Sequence, residues 1–309
     1  MTDFRCAHPN ELPEVYTVIN QVFRSKYDPT MQFEFPLLFS PDNLRRVFVA
    51  LDKGKIVSHM GYQTTEYLFE DRRLSVGFLG AVATLPEYRG TGIASRLLEM
   101  AEEAMRAETL DLCLISGNRS LYLRNGFQEL GVTYEYLLTV PEKAPDISLR
   151  AYCEKDIDII HSLYAREEKR FHRDPEAFQR LLGVNHTLRG HGPRSIPVAQ
   201  IGPTFLVYGQ GVPIAYFVLR GSGKYPIEYA GDREGLLLGL KALAKEAGYP
   251  QFVWVPESDA QLLSIFERER FRVTNRYFFP PSHTSKALNP TAADPALRLG
   301  MPLPGLNYV

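Results

Sequence analysis

Between Val47 and Leu85 the chain carries three β-rich runs in succession, VFVAL, IVSHMGYQTTEYLF and LSVGFLGAVATL. Only Asp52-Lys53-Gly54-Lys55 and Glu70-Asp71-Arg72-Arg73 separate them. Connections that short join antiparallel neighbours, because parallel strands need a crossover of about a dozen residues. The first two runs therefore read as a hairpin and the third as a further long strand. Past Leu85 the pattern changes. A loop with two glycines leads into SRLLEMAEEAMRAE, a helix with Leu97, Leu98, Ala101, Ala104 and Met105 on one side, and then into DLCLIS, a short apolar run of the parallel-sheet kind. A strand near Phe4–Ala7 and a helix striped by Leu12, Val15, Val18, Ile19 and Val22 come first, before a Pro-rich aromatic segment at Tyr27–Pro41. RSLYLRNGF reads as a short helix ending at Gly126, and LGVTYEYLLTV as the strand that closes the unit. The order is β-α-(α)-β-β-β-α-β-α-β, an α/β (α+β) unit.

After a polar, Pro-containing stretch the pattern starts again. ISLRAY and EKDIDIIHSLYAREEKRF repeat the strand-then-helix opening. FLVYGQGVPIAYF (205–217) matches FVALDKGKIVSHM (48–60) in length and turn position, GLLLGLKALAKEAG with QFVWV repeats helix-then-strand, and IFERERF (265–271) overlays LYLRNGF (121–127). The reading is two copies of one architecture: a first domain at 1–140, a linker at 141–147, a second domain at 148–280 and a Pro/Ala-rich tail at 281–309 that packs along the surface or is partly disordered.

Composition narrows the partners. With 309 residues and a formal net charge of −1, the chain has room for two domains and no overall field that points to nucleic acid. No apolar stretch approaches the roughly 20 residues of a membrane helix. The start MTDFRCAHPNELPEV lacks a cationic and apolar leader. Three scattered cysteines, Cys6, Cys113 and Cys153, make neither a disulfide framework nor a zinc site. The expectation is a cytoplasmic protein without a metal.

The loop LPEYRGTGIASRLL, Leu85 to Leu98, carries the chemistry. Two readings of its glycines stand. They form a turn, or they strip Cβ atoms from a helix N-terminus so that its free N–H groups and positive dipole end can meet a phosphate, with Arg89 adding charge. VATLPEYRGTGIASRLL resembles the acetyl-CoA loop of the GCN5-related N-acetyltransferase (GNAT) superfamily, whose signature Arg/Gln-x-x-Gly-x-Gly/Ala reads here Arg89-Gly90-Thr91-Gly92-Ile93-Ala94. The loop's place after the third strand, SGNRSLYLRNGF downstream and the element order extend the likeness over residues 4–140; residues 148–280 share architecture only. The resemblance implies a mixed, mostly antiparallel sheet flanked by helices, present twice in tandem. It also implies that backbone N–H groups of Gly90, Thr91, Gly92, Ile93, Ala94 and Ser95 hold the pyrophosphate of coenzyme A, with Arg89 beside them as a cofactor-binding charge. Val82, Ala83 and Thr84 would pair with its pantetheine arm, and Gly117 and Asn118 would line the far side of the gap. Asn118 equally reads as a cap for the short helix after it.

Transfer of an acyl group to an amine needs a neutral amine, a stabilised oxyanion and a protonated leaving thiolate. Tyr122 falls where the superfamily keeps a tyrosine that protonates the thiolate; the alternative is an aromatic packing residue. The N–H of Val82 or Ala83 would hold the oxyanion. No carboxylate lies on LSVGFLGAVATL, which leaves His59, Tyr62, Glu66, Tyr67, the carboxylate of Val309 or water as base. His59 and Tyr67 share one face of their strand, Tyr62 and Glu66 the other.

The second half repeats neither the loop nor the tyrosine. Asp232 and Glu234 would set negative charge where a pyrophosphate should sit, and Phe266 falls in place of Tyr122. It reads as a degenerate copy that supplies a wall or buries the open side of the first. YDPTMQFEFPLLF, with Met31, lies where the superfamily builds its acceptor wall. Two functions fit: an acetyl-CoA-dependent N-acetyltransferase acting on a primary amine of a small molecule or peptide, or a non-catalytic acyl-CoA-binding sensor or scaffold.

Overall fold

The computed structural model describes residues 2–24, 29–190, 202–221, 223–278, 283–294, 296 and 301. Tyr27 of the expected acceptor wall and the Val309 carboxylate lie outside them.

The first half runs β1 (Asp3–Cys6), α1 (Leu12–Phe23), α2 (Met31–Glu34), β2 (Val47–Asp52), β3 (Lys55–Phe69), β4 (Arg72–Thr84), α3 (Ile93–Ala107), β5 (Leu112–Ser116), α4 (Ser120–Arg124), β6 (Gln128–Glu129) and β7 (Val132–Leu138). The second runs β8 (Ser148–Ala151), α5 (Ile157–Ala165), β9 (Lys169–Phe171), α6 (Pro175–Gly190), β10 (Thr204–Gly209), β11 (Val212–Leu219), β12 (Pro226–Gly231), α7 (Arg233–Ala247), β13 (Gln251–Pro256), α8 (Ala260–Arg268), β14 (Arg272–Phe278) and β15 (His283–Ala287). The mixed, mostly antiparallel α/β architecture follows the periods of the sequence.

Helices cover both faces of the first sheet. The α1 stripe of Val15, Val18 and Ile19 packs with Val47 and Val49 on one side. Leu97, Leu98, Ala101 and Met105 of α3 pack with Met60, Tyr62 and Leu79 on the other. In the second half α7 and α8 share a core with β11 and β13, while α5 and α6 cover the opposite face of the sheet through Ile160, Leu163, Phe178 and Leu181.

Two strands sit in the other half's sheet. The first sheet orders β1-β2-β3-β4-β5-β15-β6, so β15 inserts between β5 and β6, with Thr284 opposite Ile115 and Lys286 opposite Cys113. In return β7 inserts between β13 and β14, with Tyr136 opposite both Val253 and Val273. Tyr136 and Leu138 thereby join the second core, and Leu288 joins the first. This corrects two expectations: LGVTYEYLLTV does not close the first sheet, and residues 283–287 are not a surface tail. The reason is physical. Both strands fill the same kind of antiparallel slot, and a strand's own pattern specifies that slot without naming which copy offers it. The backbone pairing therefore crosses 141–147 in both directions. Periodicity also gives no sign of α6 as a separate helix, nor of β9, which pairs with β3 through Phe171 opposite Tyr67.

Candidate active site

Strands β4 and β5 run parallel and hydrogen-bonded from Val76/Leu112 to Leu79/Ile115. Beyond that point β4 continues to Thr84 and stays paired only with β3, so a gap opens beside Gly80–Thr84. The opening coincides with a bulge. His59 faces Ala83 and Gly61 faces Gly80, which leaves Ala81 and Val82 without Cα partners on β3. Ala81 is held at φ 50°, a left-handed conformation that costs a non-glycine residue free energy and marks a constrained position.

The constraint has a visible clamp. His59 is fully buried and its Nδ1 lies 2.8 Å from the carbonyl oxygen of Ala81. A carbonyl only accepts, so Nδ1 carries the proton and donates it. Nε2 is left buried without a partner among the described residues. Burial pushes the His59 pKa down to about 4, partly offset by the bond to Ala81, so the ring is neutral at physiological pH.

Past Thr84 a short turn at Pro86–Tyr88 leads to Arg89 and into α3. Gly90 and Gly92 take φ values of 77° and 85°, and no atom lies within 4 Å of where a Cβ would stand at either. Their conformation favours glycine, and the space in front of them is open. Thr91 turns its hydroxyl back onto the Tyr88 carbonyl at 2.6 Å, and Tyr88 anchors to Asp52 at 3.1 Å. Gly92 is the N-cap of α3 and offers no side-chain cap; the first helical bond is Arg96 N–H to the Gly92 carbonyl at 3.1 Å. The N–H groups ahead of it form a cradle suited to a phosphate.

Loop and gap share one cavity of ≈ 830 Å³. Val82, Thr84, Arg89, Gly90, Gly92, Ile93, Ala94 and Ser95 line it; Ala83 and Thr91 do not. Ala83 is buried on the α1 side, and its carbonyl accepts from Ser58 at 2.8 Å. From the other flank come Ser116, Arg119, Ser120 and Tyr122. Gly117 and Asn118 do not line it. The Gly117 carbonyl accepts a hydrogen bond from Thr284 of the inserted β15 at 2.8 Å, Asn118 is exposed, and the residue at the α4 N-cap is Arg119.

Tyr122 is 4 % exposed, packs against Phe127, and has no hydrogen-bond partner for its hydroxyl among the described residues. A Cβ at Gly117 would come within 3.3 Å of its ring, so the glycine lets the ring sit where it does. Burial pushes the Tyr122 pKa up to about 12, against a smaller lowering by Arg119. The phenol therefore keeps its proton at neutral pH, the form that a general acid needs.

None of the base candidates on β3 lines the cavity. Tyr62 donates to Glu108 at 3.0 Å beneath α3, and burial raises its pKa. Glu66 pairs with Arg73 at 3.1 Å at the surface. Tyr67 is buried against Phe171, its pKa likewise raised by burial. On the opposite wall stand Met31 and Phe35 of the expected acceptor segment, together with residues that sequence reasoning missed: Phe23 and Arg24 of the first half, and Arg220, Ile227 and Trp254 of the second. No local signal marks the set from the second half, because only the packing of the halves brings it there.

Residues 3–130 match the family described as acetyltransferase (GNAT) domain. A search of curated protein sequences gives no match. Among solved structures, a GCN5-related N-acetyltransferase from Anabaena variabilis is 14% identical with a TM-score of 0.68, covering 95% of this chain and 74% of its own. A probable N-acyltransferase from Enterococcus faecalis is also 14% identical, with a TM-score of 0.69 over 94% of this chain and 74% of its own. The N-myristoyltransferase of Saccharomyces cerevisiae, solved with bound myristoyl-CoA, is 11% identical with a TM-score of 0.59 over 92% of this chain and 82% of its own. At these identities the likeness is one of fold.

Proposed function

Since residues 3–130 form a GNAT acetyltransferase domain, we propose that the protein is an acetyl-CoA-dependent N-acetyltransferase that acetylates a primary amine by direct attack in a ternary complex. One observation carries the reading. The glycine-led, uncapped N-terminus of α3 opens into the same ≈ 830 Å³ cleft as the Tyr122 side chain. Acetyl-CoA supplies the acetyl group as an activated thioester. The N–H groups from Gly90 to Ser95 hold its pyrophosphate, and the edge of β4 past the bulge, from Val82 to Thr84, pairs with the pantetheine amides as though with an added strand. The backbone N–H of Val82 at the bulge stabilises the developing oxyanion, and Tyr122 donates its proton to the departing thiolate.

No Asp, Glu or His is among the described residues lining the cleft, while five arginines are: Arg24, Arg89, Arg119, Arg124 and Arg220. Nearby positive charge disfavours an ammonium ion, so the arginines lower the pKa of a bound amine, and water carries its proton away. The lack of a side-chain base also favours a second reading, a non-catalytic acyl-CoA-binding module. In either case we read the second half as a degenerate copy of the first that walls the cleft. The three cysteines, all free, suit a reducing cytoplasm.

The test is free-thiol release from acetyl-CoA with and without primary amines, alongside coenzyme A binding by calorimetry. Amine-dependent release supports the transferase. Tight binding without turnover on any amine supports the sensor, and no binding defeats both.

A further inference from the structure

The cleft has two unlike flanks. The loop, α3 and α4 present backbone N–H groups and hydroxyls. The opposite flank is apolar, built from Phe23, Met31, Phe35, Ile227 and Trp254. The Trp254 indole N–H is already given to Glu135 at 3.1 Å, so its ring contributes apolar surface. Within this flank stand two guanidinium groups. Arg24 is neutralised by Glu34, which it grips through Nη2 at 2.5 and 2.6 Å. Arg220, at the end of β11, is half-buried, and its side chain has neither a hydrogen bond nor a carboxylate partner among the described residues. The remaining arginines are on the loop and α4 flank, where Arg89 and Arg124 already donate to the carbonyls of Thr84 and Ser120 and Arg119 is exposed to solvent.

An arginine that lines a cavity, with no counter-charge among the described residues, favours an anion that enters. A single fork in an apolar wall matches one carboxylate, bound through two parallel N–H···O bonds. The same cleft has no described acidic side chain to receive a second ammonium. We propose, on the footing of the acetyltransferase reading, that the acceptor is an amine bearing a carboxylate on an apolar body, such as an apolar amino acid, and that Arg220 binds the carboxylate. The second half thereby sets acceptor specificity for a site otherwise built by the first. Polyamines and other polycationic amines are excluded by the same charges.

The test compares phenylalanine and leucine with phenethylamine, which lacks the carboxylate, and with spermidine, using thiol release at saturating acetyl-CoA. Wild type should favour the amino acids over phenethylamine by at least about tenfold in kcat/KM, with spermidine poorer still. Arg220→Ala should raise the KM for the amino acids about tenfold, change that for phenethylamine much less and leave that for acetyl-CoA unchanged, with Arg220→Lys recovering part of the loss. Thermal unfolding checks that both variants fold. Equal or better turnover of phenethylamine or spermidine overturns the proposal, as does an Arg220→Ala effect on the KM for acetyl-CoA. If coenzyme A binds but no amine turns over, N-acetylphenylalanine is titrated into the coenzyme A complex. Binding that needs Arg220 sustains the proposal and its absence ends it. Failure to bind coenzyme A would instead bring down the acetyltransferase reading itself.

Discussion

Helices α3 and α7 begin in the same way, after the last strand of a β-meander, yet one start is open and the other is shut. At α3 the N-cap is Gly92, and among the described residues no side chain bonds the first-turn N–H groups. At α7 the N-cap is Asp232, whose carboxylate accepts from Gly235 N–H at 2.6 Å. Around it Arg233 is clasped by Glu167 and Asp259, the Gly231 N–H is taken by Glu167, and Glu234 pairs with Arg268. A cavity of ≈ 710 Å³ does lie in front of α7, but Glu167, Asp232 and Asp259 line it. The lesson is that a helix dipole invites an anion only where the chain has not furnished one itself.

The difference runs through the flanking positions. Tyr122 and Phe266 sit at matching places, each followed five residues later by an aromatic whose N–H bonds back to it at 3.1 and 3.0 Å. His59 and Tyr216 also match in the hairpin overlay. His59 faces Ala83 and clamps Ala81 two residues back; Tyr216 faces Ala230 and donates to Glu228 two residues back, at 2.9 Å. In the second half that carboxylate is buried in a bidentate pair with Arg173, both bonds at 2.8 Å. Where the first half opens its strand, the second fills the space with an ion pair.

The largest effect should come from closing the open helix. Gly92→Asp gives α3 the cap that α7 has, and coenzyme A affinity by calorimetry should fall at least about 100-fold, since a carboxylate would occupy the cradle and repel the phosphates. Gly92→Asn has a similar shape without the charge and should lose much less; equal losses would mean that charge is not what separates the two helices. Making the first half resemble the second at its tyrosine comes next. Tyr122→Phe should lower kcat roughly 10- to 100-fold with coenzyme A affinity unchanged, and an unchanged kcat would reduce Tyr122 to packing.

The clamp is tested by pH. The folded pKa of His59 is lowered from 6.5 to about 4, so the unfolded chain takes up a proton that the folded chain refuses between those values. Its contribution to stability is whole above that window and is lost as the pH falls through it, amounting to about 2 kcal/mol by about pH 5. Urea unfolding of wild type and His59→Asn should diverge in this window by that difference in slope; parallel curves would show that the imidazole is not held neutral. The smallest effect belongs to the shut helix. Asp232→Ala should cost about 1 kcal/mol of stability and leave coenzyme A affinity untouched. A gain in affinity would reveal a second site hidden by its own cap.

Much of this was legible in the sequence because it is local. The three-strand meander, the α1 and α3 stripes and the glycine loop are set by spacing within a few residues, and so was the acidity of the α7 start. The gap beside Gly80–Thr84 came only through family likeness. The bulge at Ala81 was not visible, since nothing in LSVGFLGAVATL marks the residue that a histidine on the next strand will hold. Strand β15 reads as tail because HTSKA has little apolar character, although Thr284 and Ser285 are fully buried once it is inserted. Arg220 is about 130 residues from the loop it faces, a distance over which periodicity carries no information.

The exchange of β7 and β15 has a consequence in time. Strand β5 and the loop from Gly117, which bound one side of the cleft, wait for residues 283–287 before their sheet is complete. At roughly 5–20 residues per second of synthesis, a nascent chain passes on the order of 10 seconds or more with all residues of the glycine loop made and the sheet behind them unfinished. Neither half can finish alone, and β7 must leave its own half empty-handed to serve the other. A chain broken off in translation before β15 therefore carries the glycine loop without the sheet that frames its cleft, so a finished cleft itself reports that the ribosome has read through residues 283–287.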